Sequence, residues 1–360
     1  MKGNEAVAEA AIRAGVDGYF GYPITPQTEI IEYLMEANPA ETTGMIVLQA
    51  ESEVAAINMV YGGAACGKKV MTSSSSPGIS LKQEGISYIA GAELPCLIVN
   101  VVRGGPGLGT IQPAQSDYFQ STKGGGHGDY HLIVLAPASV QEMADFVDLS
   151  FELAFKYRNP VMILSDGAIG QMMEKVYLSP QKERSKTVPD WATTGKPPTR
   201  QRNIITSLDL DPNRQEIFNR KLLAKYDEIR EKEVRLEEFQ CEDAEYLLVA
   251  YGTSARVCQK SVQLAREQGI KVGLLRPITL FPFPSKRIKE LAGKVKGILS
   301  VEMSAGQMVE DVLLAVNGEI PVYHFGRMGG IVTTPEEVVE SLKSKFIGGK
   351  KWFKLQGSKR

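Results

Sequence analysis

Leu97-Ile98-Val99-Asn100-Val101-Val102 runs directly into Arg103-Gly104-Gly105-Pro106-Gly107-Leu108-Gly109. Five of the first six residues are apolar, without the alternation of a half-exposed strand. That pattern predicts a strand buried on both faces, as in a parallel sheet covered by helices. A glycine-rich loop at its end lies where such sheets bind ligands. Outward from this strand the pattern repeats. Tyr19 to Pro23, Met45 to Leu48, Val70 to Ser73, Leu132 to Leu135 and Val161 to Leu164 read as further short strands. Between them, Ala6 to Ala14, Thr28 to Ala37, Glu53 to Ala65 and Val140 to Phe155 carry helical patterns. Alternation of this kind predicts a doubly wound α/β unit.

The same alternation returns after Tyr246, with strands at Tyr246 to Tyr251, Val272 to Leu275 and Gly297 to Glu302. Helices are expected at Ser254 to Gln268, at Lys286 to Ala292 with Ser285 as its cap, and at Gln307 to Ala315. Between the two units, 26 of the 67 residues from 174 to 240 are charged, and five prolines interrupt the early part. Gln215 to Phe239 reads as one long charged helix with opposite charges three or four apart, and a solvated linker is its plain interpretation. The expected organisation is a first unit at 1–173, a charged linker at 174–243, a second unit at 244–349 and a basic tail at 350–360.

Composition narrows function by exclusion. Lys and Arg number 41 against 42 Asp and Glu, a net charge of −1, which argues against the basic surface that nucleic-acid binding requires. No apolar run approaches the roughly 20 residues of a membrane span, and the first residues lack a secretory core, so a cytoplasmic protein is expected. Cys66, Cys96, Cys241 and Cys258 contain no C-x-x-C pair, so an iron–sulfur cluster or zinc ribbon within this chain is not expected.

Two phosphate-loop look-alikes fail on context. Gly62-x-x-x-x-Gly67-Lys68-Lys69 follows a helix and lacks the final Ser or Thr. Gly105-x-Gly107-x-Gly109 has the wrong spacing for a dinucleotide fingerprint, and Pro113 interrupts the helix that should follow.

Three other features carry chemistry. In Tyr22-Pro23-Ile24-Thr25-Pro26, two prolines fix a turn and hold the Thr25 hydroxyl in place; a rigid strand-to-helix turn is the alternative. Glu51-Ser52-Glu53 stands at a strand–helix junction, where a carboxylate either caps the helix or works as a catalytic carboxyl at the sheet edge. Arg103 leaves a buried strand into a loop of little bulk. It is placed either to grip a carboxylate with two hydrogen bonds or to form a structural ion pair.

These motifs together resemble one family. YPITP at 22–26, QAESEVAAI at 49–57, VMTSSSSPG at 70–78, NVVRGGPGLGT at 100–110 and NPVMILSDG at 159–167 look like the alpha subunit of 2-oxoacid:ferredoxin oxidoreductases. LRPITLFP at 275–282 and VEMSAGQ at 301–307 look like that family's transketolase C-terminal-like domain. The resemblance implies a pyrimidine-type thiamine diphosphate-binding domain and thiamine diphosphate shared with a partner subunit. It implies that Glu53 hydrogen-bonds the aminopyrimidine as catalytic residue, with Glu51 the weaker candidate. Pro23 and Ile24 would line the cofactor, and Thr25 and Arg103 would hold the 2-oxoacid carboxylate.

It implies oxidative decarboxylation to acyl-coenzyme A with electrons passed to ferredoxin. A beta subunit would carry the diphosphate site and Mg2+, and gamma and ferredoxin-like delta subunits would complete the complex, with the iron–sulfur cluster outside this chain. The segment from Gly104 to Tyr130 favours branched-chain members acting on 3-methyl-2-oxobutanoate, with 2-oxoglutarate or pyruvate as alternative substrates. A non-catalytic assembly subunit of the same fold is the competing class.

Overall fold

The computed structural model describes residues 1–348. The expected basic tail, and the last residue of the expected second unit, lie outside the described residues.

In the first unit the strands are β1 (Gly18–Gly21), β2 (Ile46–Gln49), β3 (Val70–Ser74), β4 (Cys96–Val102), β5 (Ile133–Leu135) and β6 (Pro160–Asp166). Beyond it follow β7 (Leu236–Phe239), β8 (Tyr246–Val249), β9 (Val272–Pro277), β10 (Thr279–Phe281), β11 (Ile298–Glu302) and β12 (Val322–Gly326). They form two sheets, ordered β10-β5-β6-β4-β3-β1-β2 and β12-β11-β8-β9-β7. All pairings are parallel except β10 with β5 and β7 with β9.

The strand expected from Leu97 to Val102 is the middle of the first sheet. β4 pairs with β6 along seven residues, Cys96 opposite Pro160 through Val102 opposite Asp166, and both strands are buried throughout. Helices close both faces. Gly3–Arg13 buries Ala6, Val7, Ala8 and Ala11, small enough to pack closely on the helix Val140–Tyr157. The helix Glu53–Ala65 packs on Ser76–Gly91, where Gly85 permits the approach. A Cβ there would lie 2.5 Å from Ile57 Cγ2.

The second unit docks on the first through a buried polar core. Gln115 donates through Nε2 to the Tyr251 carbonyl at 2.9 Å. Its Oε1 accepts from Ser254 Oγ at 2.6 Å and from the Met303 amide at 2.9 Å. Thr253 Oγ1 donates to Asp166 at 2.8 Å, and the Tyr118 hydroxyl donates to Asp311 at 2.6 Å. β10 joins the edge of the first sheet, Thr279 opposite Leu135, although its residues belong to the later part of the chain.

Several local expectations are corrected. The charged helix spans Pro212–Lys232, not Gln215 to Phe239. Its expected last turn is β7, paired antiparallel with β9 and held by Arg276 on Glu237 and Arg287 on Glu238. Long-range pairing there overrides the helical charge pattern. Nor is the preceding segment simply solvated. Arg184 binds Asp17, Lys182 binds Asp148, and Lys225 of the charged helix reaches Glu93, so the segment straps the first unit. Ser285 is the first residue of its helix rather than the cap, a position held by Pro284. The sixteen-residue helix Ser76–Gly91 is absent from the sequence pattern, because the Ser, Pro and Gly at its start favour a turn. No helix among the described residues is long and apolar enough to cross a membrane.

Candidate functional site

The C-terminal ends of β1, β3 and β4 meet at the first turn of the helix Ser76–Gly91, and this is where Thr25, Glu53 and Arg103 converge. Ser76 anchors the junction. The Arg103 amide donates to Ser76 Oγ at 3.1 Å, and that hydroxyl donates to the Arg103 carbonyl at 3.2 Å.

After β1, the turn is held from beneath by a buried chain of polar groups. The Tyr19 hydroxyl lies 2.7 Å from Ser73 Oγ, and Ser73 Oγ donates to Gln27 Oε1. Gln27 in turn donates to the Tyr22 carbonyl at 3.2 Å. Burial pushes the Tyr19 phenol well above its ordinary pKa, against a smaller opposing effect of Ser73, so it stays a neutral link. Asn4 and Gln171 both donate to the Pro26 carbonyl, at 2.7 and 3.0 Å. Pro23 and Ile24 are half-buried, and Thr25 is exposed.

Arg103 is 9% exposed. Its Nη1 donates to the Thr25 carbonyl and its Nη2 to the Leu108 carbonyl, both at 3.0 Å. Nε is buried without a partner. Among the described residues no carboxylate pairs with it, so the structural ion pair is replaced by a brace between two backbone carbonyls. A guanidinium has five N–H donors, and three remain unassigned here. The loop beyond folds back on itself. Gly104 donates to the Gln112 carbonyl at 2.9 Å and Thr110 to the Gly104 carbonyl at 2.8 Å, with Gly109 at φ +58°. Among the described residues no helix opens directly at its end, unlike a dinucleotide-binding loop.

Glu53 is the first residue of its helix. Capping is the task of Ser52, whose Oγ accepts from the Ala55 amide at 3.2 Å. The Glu53 carboxylate is therefore free of that duty. The residue is 7% exposed, yet the carboxylate accepts no hydrogen bond from any described residue. Gly78 closes over it. A Cβ at that position would lie 2.8 Å from Glu53 Oε1 and 2.1 Å from Ser74 Oγ. Glu51, by contrast, is exposed and accepts from Ser52 Oγ at 3.0 Å. The Glu53 oxygens therefore keep their full acceptor capacity at the sheet edge, and the site fits an external N–H group there. The aminopyrimidine of thiamine diphosphate is such a group.

Three neighbours escaped sequence reasoning. Lys82 is fully buried and donates to Thr72 Oγ1 at 3.0 Å. Its signal was present, since Ile79, Lys82, Ile86 and Ile89 share one helical face, where a lysine is out of place. Burial pushes Lys82 down to about 8, with the Glu53 charge opposing. Asn100 donates to Asp117 at 3.0 Å, and burial pushes the Asp117 carboxyl up despite that bond. Asp117, Ser76 and Gln307 help line a cleft of about 400 Å³ between the two units. Larger hollows, about 600 and 920 Å³, lie elsewhere, around Arg184 and around His131. Asp166 serves structure. It caps the helix Gly167–Gln171 and binds Thr253.

Residues 9–241 match the family described as pyruvate flavodoxin/ferredoxin oxidoreductase, thiamine diphosphate-binding. Residues 244–338 match pyruvate:ferredoxin oxidoreductase core domain II. This chain belongs to the 2-oxoacid:ferredoxin oxidoreductases. It is 53% identical over 343 residues to the ketoisovalerate oxidoreductase subunit VorB of Methanothermobacter thermautotrophicus, covering 95% of this chain and 96% of that one. It is 37% identical over 359 residues to the 2-oxoglutarate synthase subunit KorA of Archaeoglobus fulgidus, covering 96% and 98%.

A solved 2-oxoglutarate:ferredoxin oxidoreductase from Magnetococcus marinus, with 2-oxoglutarate, coenzyme A and succinyl-coenzyme A bound, superposes with a TM-score of 0.81 at 28% identity. It covers 96% of this chain and 64% of the other. A split-gene transketolase shares the fold alone, at 14% identity and a TM-score of 0.62. The first sheet of this oxidoreductase subunit, β10 apart, lies in the thiamine diphosphate-binding match, and the second, β7 apart, lies in core domain II.

Proposed function

We propose that this oxidoreductase subunit acts on 3-methyl-2-oxobutanoate, converting it with coenzyme A to the acyl-coenzyme A and carbon dioxide and sending the electrons to ferredoxin. Identity to the ketoisovalerate subunit exceeds that to the 2-oxoglutarate subunit by 53% to 37% at similar coverage, which favours the branched substrate. 2-Oxoglutarate and pyruvate are the alternatives.

The observation that carries the mechanism is Glu53, a largely buried residue at the sheet edge whose carboxylate is not engaged by any described residue. Thiamine diphosphate, when bound, supplies the carbon nucleophile that attacks the oxo group and stabilises the charge left by decarboxylation. Glu53 holds a proton between itself and the ring nitrogen, an acid–base task at one stated atom. Ser52 and Gly78 fix where that carboxylate sits. Pro23 and Ile24 line the approach from the β1 turn. The Thr25 hydroxyl and the unassigned N–H groups of Arg103 bind the carboxylate of the 2-oxoacid.

The remaining parts of the reaction belong to partners. A beta subunit carries the diphosphate and Mg2+ site, and gamma and ferredoxin-like delta subunits carry the electron path with its iron–sulfur cluster. Tyr22, Leu48, Val54, Met59 and Leu81 are exposed apolar residues on the elements that surround Glu53. We assign this face to the beta subunit, because covering it would also seal the cofactor against water. A ferredoxin-coupled complex of this kind belongs in the cytoplasm, and we divide the chain at residues 173 and 243, although β7 before the second boundary pairs in the second sheet and β10 after it pairs in the first.

The test is reconstitution with candidate partner subunits and ferredoxin. kcat/KM should be highest for 3-methyl-2-oxobutanoate among the three 2-oxoacids. A clear preference for 2-oxoglutarate or pyruvate would replace the substrate and leave the subunit assignment standing.

A further inference from the structure

In the run Ser73-Ser74-Ser75-Ser76, the outer hydroxyls have tasks. Ser73 belongs to the chain between Tyr19 and Gln27, and Ser76 anchors Arg103. The inner pair is different. Ser74 and Ser75 are fully buried, and neither Oγ has a hydrogen-bond partner. A hydroxyl buried without a partner costs stability, so a strand end selected for stability alone gains nothing from it.

The packing of β3 under the helix Ser76–Gly91 says where Ser74 faces. Side chains along a strand alternate between its two faces. Ser73 bonds toward Tyr19 and Gln27 on one face. Thr72, on the opposite face, accepts from Lys82 of the helix at 3.0 Å. Ser74 shares the Thr72 face, and Gly78 lies one helical turn before Lys82. The spacing agrees with that register. A Cβ on Gly78 would lie 2.1 Å from Ser74 Oγ and 2.8 Å from Glu53 Oε1. The buried hydroxyl and the carboxylate thus border one gap, which the missing side chain of Gly78 leaves open, and Ser74 Oγ bonds to nothing across it.

We propose that Ser74 is a positioning residue that acts through Glu53, its hydroxyl donating to Oε1 across the Gly78 gap in the loaded enzyme and fixing the direction of the carboxylate toward the thiamine ring. The inference rests on the assignment of Glu53 above. Rotation about one side-chain bond moves the hydroxyl between staggered positions, and hydrogen bonds in a catalytic site are often long before loading and tighten on it. One neutral donor takes up a single acceptor position of the carboxylate and leaves the others for the cofactor.

The test is Ser74→Ala, alone and with Glu53→Gln. It is read by steady-state decarboxylation in the reconstituted complex and by thermal unfolding of the full chain without cofactor. Ser74→Ala should lower kcat roughly 10-fold, the loss expected for one hydrogen bond, and change KM for the 2-oxoacid less than about twofold. The melting temperature should stay level or rise, because an unpartnered buried hydroxyl is removed. Ser74→Thr keeps the hydroxyl on a branched stem suited to a strand and should recover most of kcat. In the Glu53→Gln background, Ser74→Ala should change kcat less than about twofold, since the carboxylate through which it acts is gone.

A melting temperature lower by several degrees with kcat intact overturns the proposal and makes Ser74 a packing residue. The same loss of kcat in both backgrounds also overturns it. A Glu53→Gln complex that turns over normally would instead overturn the assignment of Glu53.

Discussion

Arg103 Nη1 donates to the carbonyl of Thr25 at 3.0 Å, across 78 residues of chain. The bond ties the end of β4 to the turn after β1. One side chain thereby shapes the opening in which Thr25 presents its hydroxyl, while the neighbouring Nη2 holds the glycine loop at Leu108. Bracing and substrate binding, alternatives in the sequence, are compatible functions of a five-donor group.

Arg103→Ala should therefore show both effects. Two charge-assisted hydrogen bonds to carbonyls disappear, each worth roughly 1.5–3 kcal/mol before relaxation, so the melting temperature should fall by several degrees. KM for the 2-oxoacid should rise roughly 30-fold or more, with coenzyme A binding nearly unchanged. Arg103→Lys should recover only part, since a point charge cannot span Thr25 and Leu108 together. Melting and substrate titration on one preparation measure the two effects; an unchanged KM in folded protein would remove Arg103 from the substrate site.

Glu53→Gln should lower decarboxylation by roughly 10²-fold or more, as for loss of an acid–base group, with little effect on stability because Ser52 holds the cap. Ser52→Ala should do the reverse, costing about 1 kcal/mol of stability and little chemistry. Glu51→Gln should leave turnover intact. Single-turnover decarboxylation with denaturant melts checks all three, and a strong Glu51 effect with a silent Glu53 would shift the site by two residues.

Gly78→Ala should damage the site while sparing the backbone, which is helical there. The new methyl group meets Ser74 Oγ at 2.1 Å and Glu53 Oε1 at 2.8 Å, so the carboxylate must move. A misplacement of about 1 Å can cost roughly 10²-fold in rate. Turnover beside a melting curve is the readout, and unaltered turnover would show that the position of the carboxylate is not critical.

Stability should rise with pH between about 8 and 10.5 through Lys82. Its folded pKa is depressed to about 8 from an ordinary 10.5. In that window the unfolded chain binds more protons than the folded one, so raising the pH favours folding. Below pH 8 the folded protein carries the full cost of a buried ammonium, up to roughly 3 kcal/mol. Lys82→Met should flatten this rise and increase stability at pH 7. Urea melts of the single chain across pH 7 to 10.5 measure the slope difference; equal slopes would place a solvated lysine of ordinary pKa at this position.

Local composition alone determined the central strands of both sheets, because a strand buried on both faces must be apolar throughout, and β4 and β6 are nearly so. It also determined the helix at Glu53, and the several motifs in order identified the family. Tertiary structure decided what local pattern could not. β7 and β10 exist through antiparallel pairing with distant strands, so a charged stretch expected to remain helical became an edge strand. The helix from Ser76 was hidden because its serines and glycines serve the site, where Gly78 and Ser76 give room and anchorage to Glu53 and Arg103. Lys82 sits as a charge on an apolar helix face, a signal the sequence reading missed, and its partner Thr72 lies on another element. Only the packing of that helix over β3 supplies the buried ammonium with the Thr72 hydroxyl, because a charge removed from water needs a polar neighbour that the fold provides.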